Sequence, residues 1–94
     1  MAEIVSLAPV SVTTTVTELV GAADISAKGG GTSFEIYNED ATATVLIGGT
    51  GLTSANGIPL SAGASKVYFL APGQVLSGKT TTGTIVCRRL KIED

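Results

Sequence analysis

Hydrophobic and polar positions alternate along this chain in short runs, and no run sustains the 3.6-residue repeat of an amphipathic helix. Val10, Val12 and Val16 share one parity, with Ser11, Thr13, Thr15 and Thr17 on the other, which predicts a long first strand over Val10–Val20. Leu19 breaks that parity, so a bulge or bend is expected near Thr17-Glu18. Phe34 and Ile36 alternate with Glu35 and Tyr37. After a turn at Asn38-Glu39-Asp40 the chain returns over Thr42–Ile47 with Val45 and Ile47 inward, and the pattern predicts a β-hairpin. Further strands are expected at Ile58–Leu60, Lys66–Leu70, Val75–Ser77 and Thr84–Ile92. Pro59 has no N–H to give, which places its strand at an edge or outside the sheet. In Lys66–Leu70, Val67 and Phe69 are expected inward, with Lys66 and Tyr68 outward. In the last strand Ile85 and Cys87 fall on one parity, Leu90 and Ile92 on the other. A bulge at Arg88-Arg89 would bring all four to the core, whereas a regular strand would turn Arg88 to a buried face and demand a carboxylate partner.

Turn residues punctuate these runs. Gly21–Thr32 reads as a loop with the flexible triplet Gly29-Gly30-Gly31, Asn56-Gly57 as a type I′ turn, and Ala62-Gly63 and Thr80–Gly83 as further turns. Ala71-Pro72-Gly73-Gln74 has the form of a type II turn. Together these signals predict an all-β fold, a single small β-sandwich or jelly-roll-like barrel of about seven to eight short antiparallel strands. Residues 10–94 form that domain. Residues 1–9, with Ile4, Val5 and Leu7 ahead of Pro9, stand outside the clean alternation. They are expected either as an extra edge strand or as an N-terminal arm packed on a neighbouring subunit.

Composition narrows the chemistry. In 94 residues, 44% hydrophobic against 15% charged excludes a disordered tail. A net charge of −2 argues against nucleic-acid binding, and no apolar run is long enough to span a membrane. The start Met1-Ala2-Glu3 lacks a positive n-region, so export by signal peptide is not expected. The absence of His and the single Cys87 remove Ser-His-Asp and Cys-His catalysis, multi-cysteine metal sites and an intrachain disulfide; a reducing compartment fits best. The expectation is a non-enzyme with no catalytic residues, no cofactor and no metal.

Several motifs need weighing against that expectation. Gly73-Gln74-Val75-Leu76-Ser77-Gly78-Lys79-Thr80 satisfies the phosphate-binding pattern G-x-x-x-x-G-K-[ST], but a turn and a strand follow it, not the helix N-terminus that the chemistry requires. Cys87, in an apolar strand, reads as an inert buried thiol. Asn38, Glu39 and Asp40 read as solvated turn residues in preference to a cation site. Arg88 and Arg89, with Lys91 and Lys79, form the one basic concentration and suit either a partner contact or edge protection. Leu46 and Leu70 fall on the outer parity and leave apolar surface that oligomerisation could cover. The candidate subunit or capsid interface is therefore Ile4, Val5, Leu7, Leu46, Leu70, Arg88 and Arg89.

The string Phe34-Glu-Ile-Tyr-Asn38, Thr44-Val-Leu-Ile-Gly-Gly49, Leu52-Thr-Ser-Ala-Asn-Gly-Ile-Pro-Leu60, Ala62-Gly63, Phe69 and Pro72-Gly-Gln-Val-Leu76 resembles a group of short phage virion proteins. The resemblance runs from Ser33 to Ile92 and implies a β-sandwich domain of the capsid or tail, as in the decoration (cement) proteins that bind a finished shell. It implies a virion location, most readily the capsid surface, with the host cytoplasm during assembly. The implied partners are other copies of the chain, as a dimer or trimer, and the major capsid protein or other virion proteins. A head–tail connector, a tail-fibre component and a small receptor- or carbohydrate-binding β-domain are the alternatives. No functional residue carries over, because the group has no functional motif at these positions.

Overall fold

The computed structural model describes residues 3–21, 24, 32–71 and 73–93. Among them are eight strands and no α-helix: β1 Glu3–Val12, β2 Thr17–Val20, β3 Thr32–Asn38, β4 Val45–Gly48, β5 Ile58–Leu60, β6 Ser65–Leu70, β7 Leu76–Lys79 and β8 Ile85–Glu93. β1 pairs with β8, β2 with β7, β3 with β6 and β4 with β5, as in one long antiparallel ribbon folded back between β4 and β5. Rolling up the ribbon adds the β3–β8 and β4–β7 ladders. It also divides the ribbon into sheet A, β1-β8-β3-β6, and sheet B, β2-β7-β4-β5. That order is a jelly-roll arrangement, so the all-β sandwich expected from the alternation is the fold observed.

The core lies between the sheets. Phe34 and Ile36 from β3, Leu19 and Val20 from β2, Val45 and Ile47 from β4, and Val12, Ile85 and Cys87 are fully or almost fully buried. Each of the larger side chains gains roughly 1.5–3 kcal/mol from leaving water. Gly78 on β7 is tightly enclosed: a Cβ there would lie 3.1 Å from Leu19 Cδ1 and 3.5 Å from Val12 Cγ1. There the missing side chain is the fit.

Several local expectations are corrected. The segment Val10–Val20 is two strands in different sheets. Between them the Thr13 hydroxyl accepts from the Thr15 N–H (3.2 Å) and the Thr17 hydroxyl donates to the Thr15 carbonyl (3.0 Å). Such side-chain bonds compete with the ladder, and the strand stops at Val12. The expected irregularity near Glu18 is present as a register shift between Glu18 and Val20, which lets both Leu19 and Val20 reach the core. β3 and β4 are not a hairpin; they belong to opposite sheets. Val45 and Ile47 still point inward, because both sheets face the same core.

Asn56-Gly57 is not a type I′ turn, since neither residue has positive φ. Asn56 instead accepts from the Thr53 N–H (2.7 Å) and donates to the Gly51 carbonyl (3.1 Å). Gly57 is small of necessity: a Cβ would fall 2.7 Å from Leu46 Cβ. In β6 the parity is the reverse of that expected, because register with β3 sets Tyr68 beside buried Phe34 and leaves Val67 and Phe69 outside. In β8 there is no bulge at Arg88-Arg89 against β3; the irregularity is across the ladder in β1, between Leu7 and Val10. Residues 3–9 are the first part of β1, at an edge of sheet A. Pro59 lies in edge strand β5. Gly63, Gly73 and Gly83 take positive φ in the expected turns, and the Gln74 N–H closes its turn onto the Ala71 carbonyl at 3.1 Å. Pro72, and the triplet Gly29-Gly30-Gly31 with most of its loop, fall outside the described residues.

Candidate interaction surface

The two sheets treat their outer faces differently. On sheet B, outward Leu46 and Gly48 lie under the loop that joins β4 to β5. Leu52 of that loop is buried, its Cδ1 close over Gly48, and Ser54 accepts from Lys79 Nζ at 2.9 Å. The outer face of sheet A has no such cover among the described residues. Register across its four strands sets Phe69, Ser33, Ile92 and Ile4 in one row, and Val67, Glu35, Leu90 and Ser6 in the next. Ile4 is 68% exposed, Phe69 64% and Val67 52%, while Leu90 and Ile92 are half-buried between them. Large aliphatic and aromatic side chains left in water side by side on a sheet face mark a contact surface.

The third row turns polar. Ser65, Tyr37 and Arg88 follow one another across β6, β3 and β8, with Tyr37 39% exposed. Arg88 donates to the Glu39 carboxylate, and Glu35 accepts from the Ser65 hydroxyl at 3.4 Å. The break in β1 at Ala8-Pro9 opens a groove of about 300 Å³ here, lined by Pro9, Glu35, Tyr37, Arg88 and Leu90 among others.

Arg89 acts from the opposite side of the same strand. Its Nε donates to the Ala8 carbonyl (2.8 Å) and Nη1 to the Leu19 carbonyl (2.6 Å), with Asp24 Oδ2 at 3.5 Å. Only 12% of the side chain is exposed, so the guanidinium is a bridge from the β1 bulge to the end of β2. The arginine that needs an acidic partner is therefore Arg89, and the partner is Asp24.

Of the interface residues expected from sequence, Ile4 and Arg88 lie on the bare face. Val5 and Leu7 take the other parity of β1 and are half-buried; Leu46 is half-buried on sheet B under its loop. Leu70 belongs to the core and Arg89 to the bridge. Val67 and Phe69 were hidden by a real ambiguity: β6 carries a hydrophobic pair on each parity, and the strand itself holds no signal for which pair faces in.

The other sequence features have structural roles. The Gly73–Thr80 string lies in a turn and strand β7. Its Thr80 is buried, the N–H donating to the Thr13 carbonyl (2.9 Å) and the hydroxyl to the Gly83 carbonyl (2.7 Å). Cys87 is fully buried, and burial first, then the Glu39 carboxylate, pushes its thiol up to about 11. Among the described residues no three acidic or thiol side chains converge as a metal site, and no helix is long and apolar enough to cross a membrane. Comparison with protein-family models, with curated proteins and with solved structures finds no match to this chain.

Proposed function

We propose that this chain is a phage virion structural protein, a capsid decoration (cement) protein that binds the assembled head shell and stabilises it. The observation that carries the reading is the apolar outer face of sheet A, which bears exposed Ile4, Val67 and Phe69 and has no cover among the described residues. An open sheet face of this kind suits docking on a broad protein surface better than enclosing a small molecule. The jelly-roll strand order supports the reading by analogy, since the architecture recurs in viral capsid and lectin domains. The resemblance of Ser33–Ile92 to short virion proteins points the same way.

The mechanism is mass action. A protein that binds the assembled shell and not its free subunits lowers the free energy of the assembled state. Many identical small contacts to the major capsid protein then add through multivalency. Quantitative gel densitometry of purified particles tests this: a copy number near that of the major shell protein is expected. A ring-sized handful of copies would overturn decoration in favour of a head–tail connector or tail-fibre role.

A second reading, a receptor- or carbohydrate-binding β-domain, is favoured by one feature. Tyr37 stands half-exposed at the groove beside Glu35 and Arg88, a combination of ring face and polar groups that suits a sugar. Saturable glycan binding by the isolated protein, with no binding to shells, would select it.

A further inference from the structure

We infer that strand β6 is the self-association edge of this protein, pairing antiparallel with β6 of a second copy about a two-fold axis at Val67. The four sheet edges are β1 and β6 in sheet A, β2 and β5 in sheet B. β1 is interrupted midway by Pro9 and a register shift, β2 has only four residues and a shift, and β5 has only three residues and contains Pro59. Short length, proline, bulges and charged side chains are devices by which edge strands avoid pairing. Of these β6 has only one charge, Lys66. Its six residues hold an unbroken register with β3, and among the described residues its other side has no neighbouring strand.

The occupant follows from the residues on the edge. Antiparallel pairing keeps the two faces of a sheet matched only when residues of like parity stand opposite. A two-fold at Val67 satisfies that: Val67 meets Val67 of the second copy, and Phe69 meets Ser65. Lys66, the strand's one charge, meets Tyr68. Within one chain Lys66 Nζ already lies 5.8 Å from the Tyr68 ring centroid, so the charge that would bar a neutral partner finds a ring face in this one. Shifting the axis to Tyr68 would set Lys66 against Leu70, an unfavourable match. With one such edge among the described residues, pairing it also closes the assembly at two copies and does not extend it into a filament.

The two-fold stands perpendicular to the sheet. The dimer therefore presents two bare faces in the same direction, as one continuous eight-stranded platform. This goes beyond the decoration reading and does not depend on it.

Sedimentation velocity on the full chain, over a concentration series, is the test, with hydrogen exchange of the β6 amides measured alongside. The expected result is a reversible dimer whose β6 amides gain protection as concentration rises. Val67→Lys, at an exposed position, sets like charges opposite one another and raises the dimer dissociation constant by at least about tenfold. Ile4→Lys, also at an exposed position on the same face but at the far edge, leaves it unchanged. The inference is overturned if the chain stays monomeric at about 1 mM, the weak end of specific association, or if Ile4→Lys and not Val67→Lys disperses the dimer. A monomer that still coats particles would remove the edge pairing and leave the decoration reading standing; a dimer that ignores particles would do the opposite.

Discussion

Asn38 shows how one polar side chain can direct a layered fold. It is fully buried, and its Nδ2 donates to the carbonyls of Ala43 (2.9 Å) and Leu60 (3.0 Å), while Oδ1 accepts from the Asp40 N–H (3.0 Å). Those bonds hold the exit of β3 in sheet A against β5 in sheet B, and so commit the chain to crossing between layers. Asn38→Leu keeps the branched shape but leaves the Ala43 and Leu60 carbonyls and the Asp40 N–H without their partner. It is expected to cost about 2–4 kcal/mol, read from the urea midpoint. Cys87 carries a prediction of another kind. Its folded thiol is held up at about 11 against an ordinary 9.0, so the neutral form is the one the fold prefers. The stability this contributes is whole below the unfolded value and is lost as pH rises through the folded one, a window from about 9 to about 11. Native protein is accordingly expected to resist thiol reagents at neutral pH and to react at once when unfolded; equal rates in the two states would contradict the burial.

At the scale of elements, alternation identified strands better than it identified partners. The inward residues of β3 and β4 were legible because a buried strand shows its parity whichever sheet it joins. The connection between them was not, because Asn38-Glu39-Asp40 has the same turn chemistry whether the chain doubles back or crosses layers. β8 illustrates a second limit. The misfit among Ile85, Cys87, Leu90 and Ile92 was visible in that strand, yet no bulge relieves it: the register with β3 is unbroken, Leu90 and Ile92 stay on the outer face, and the irregularity in the pairing lies in β1, more than seventy residues earlier in the chain. Arg89 secures that irregularity by holding Ala8 and Leu19 together. Arg89→Met retains the stem and removes the fork, leaving both carbonyls short of a donor. The expected loss is about 1–3 kcal/mol, with faster hydrogen exchange in β1 and at the end of β2 and little change in β4 or β5. Uniform acceleration across all strands would show that Arg89 is not a local clamp.

Across the whole molecule, one rolled ribbon produces two unlike faces. The β4–β5 connection folds back over sheet B, while among the described residues nothing comparable covers the outer face of sheet A. Ile4→Asp probes that face away from the β6 edge. At 68% exposure the substitution should alter stability by no more than about 0.5 kcal/mol. Self-association should be intact, and attachment to particles should weaken by about tenfold or more, measured by co-sedimentation with shells lacking the protein. Unchanged attachment would move the docking site to another face.

The strand-forming runs, the glycine turns at Gly63, Gly73 and Gly83, the burial of Phe34, Ile36, Val45 and Ile47, and the edge position of Pro59 were all legible in the residues themselves. Each of these follows from a residue's own sterics or from a period of two read within one strand. Tertiary structure alone decided which strands pair, that Arg89 and not Arg88 takes the inward place, and that Tyr68 and Leu70 are in while Val67 and Phe69 are out. Where a strand carries hydrophobic side chains on both parities, its own pattern is degenerate. The choice is made by the neighbour whose buried residue it must match, here Phe34 against Tyr68.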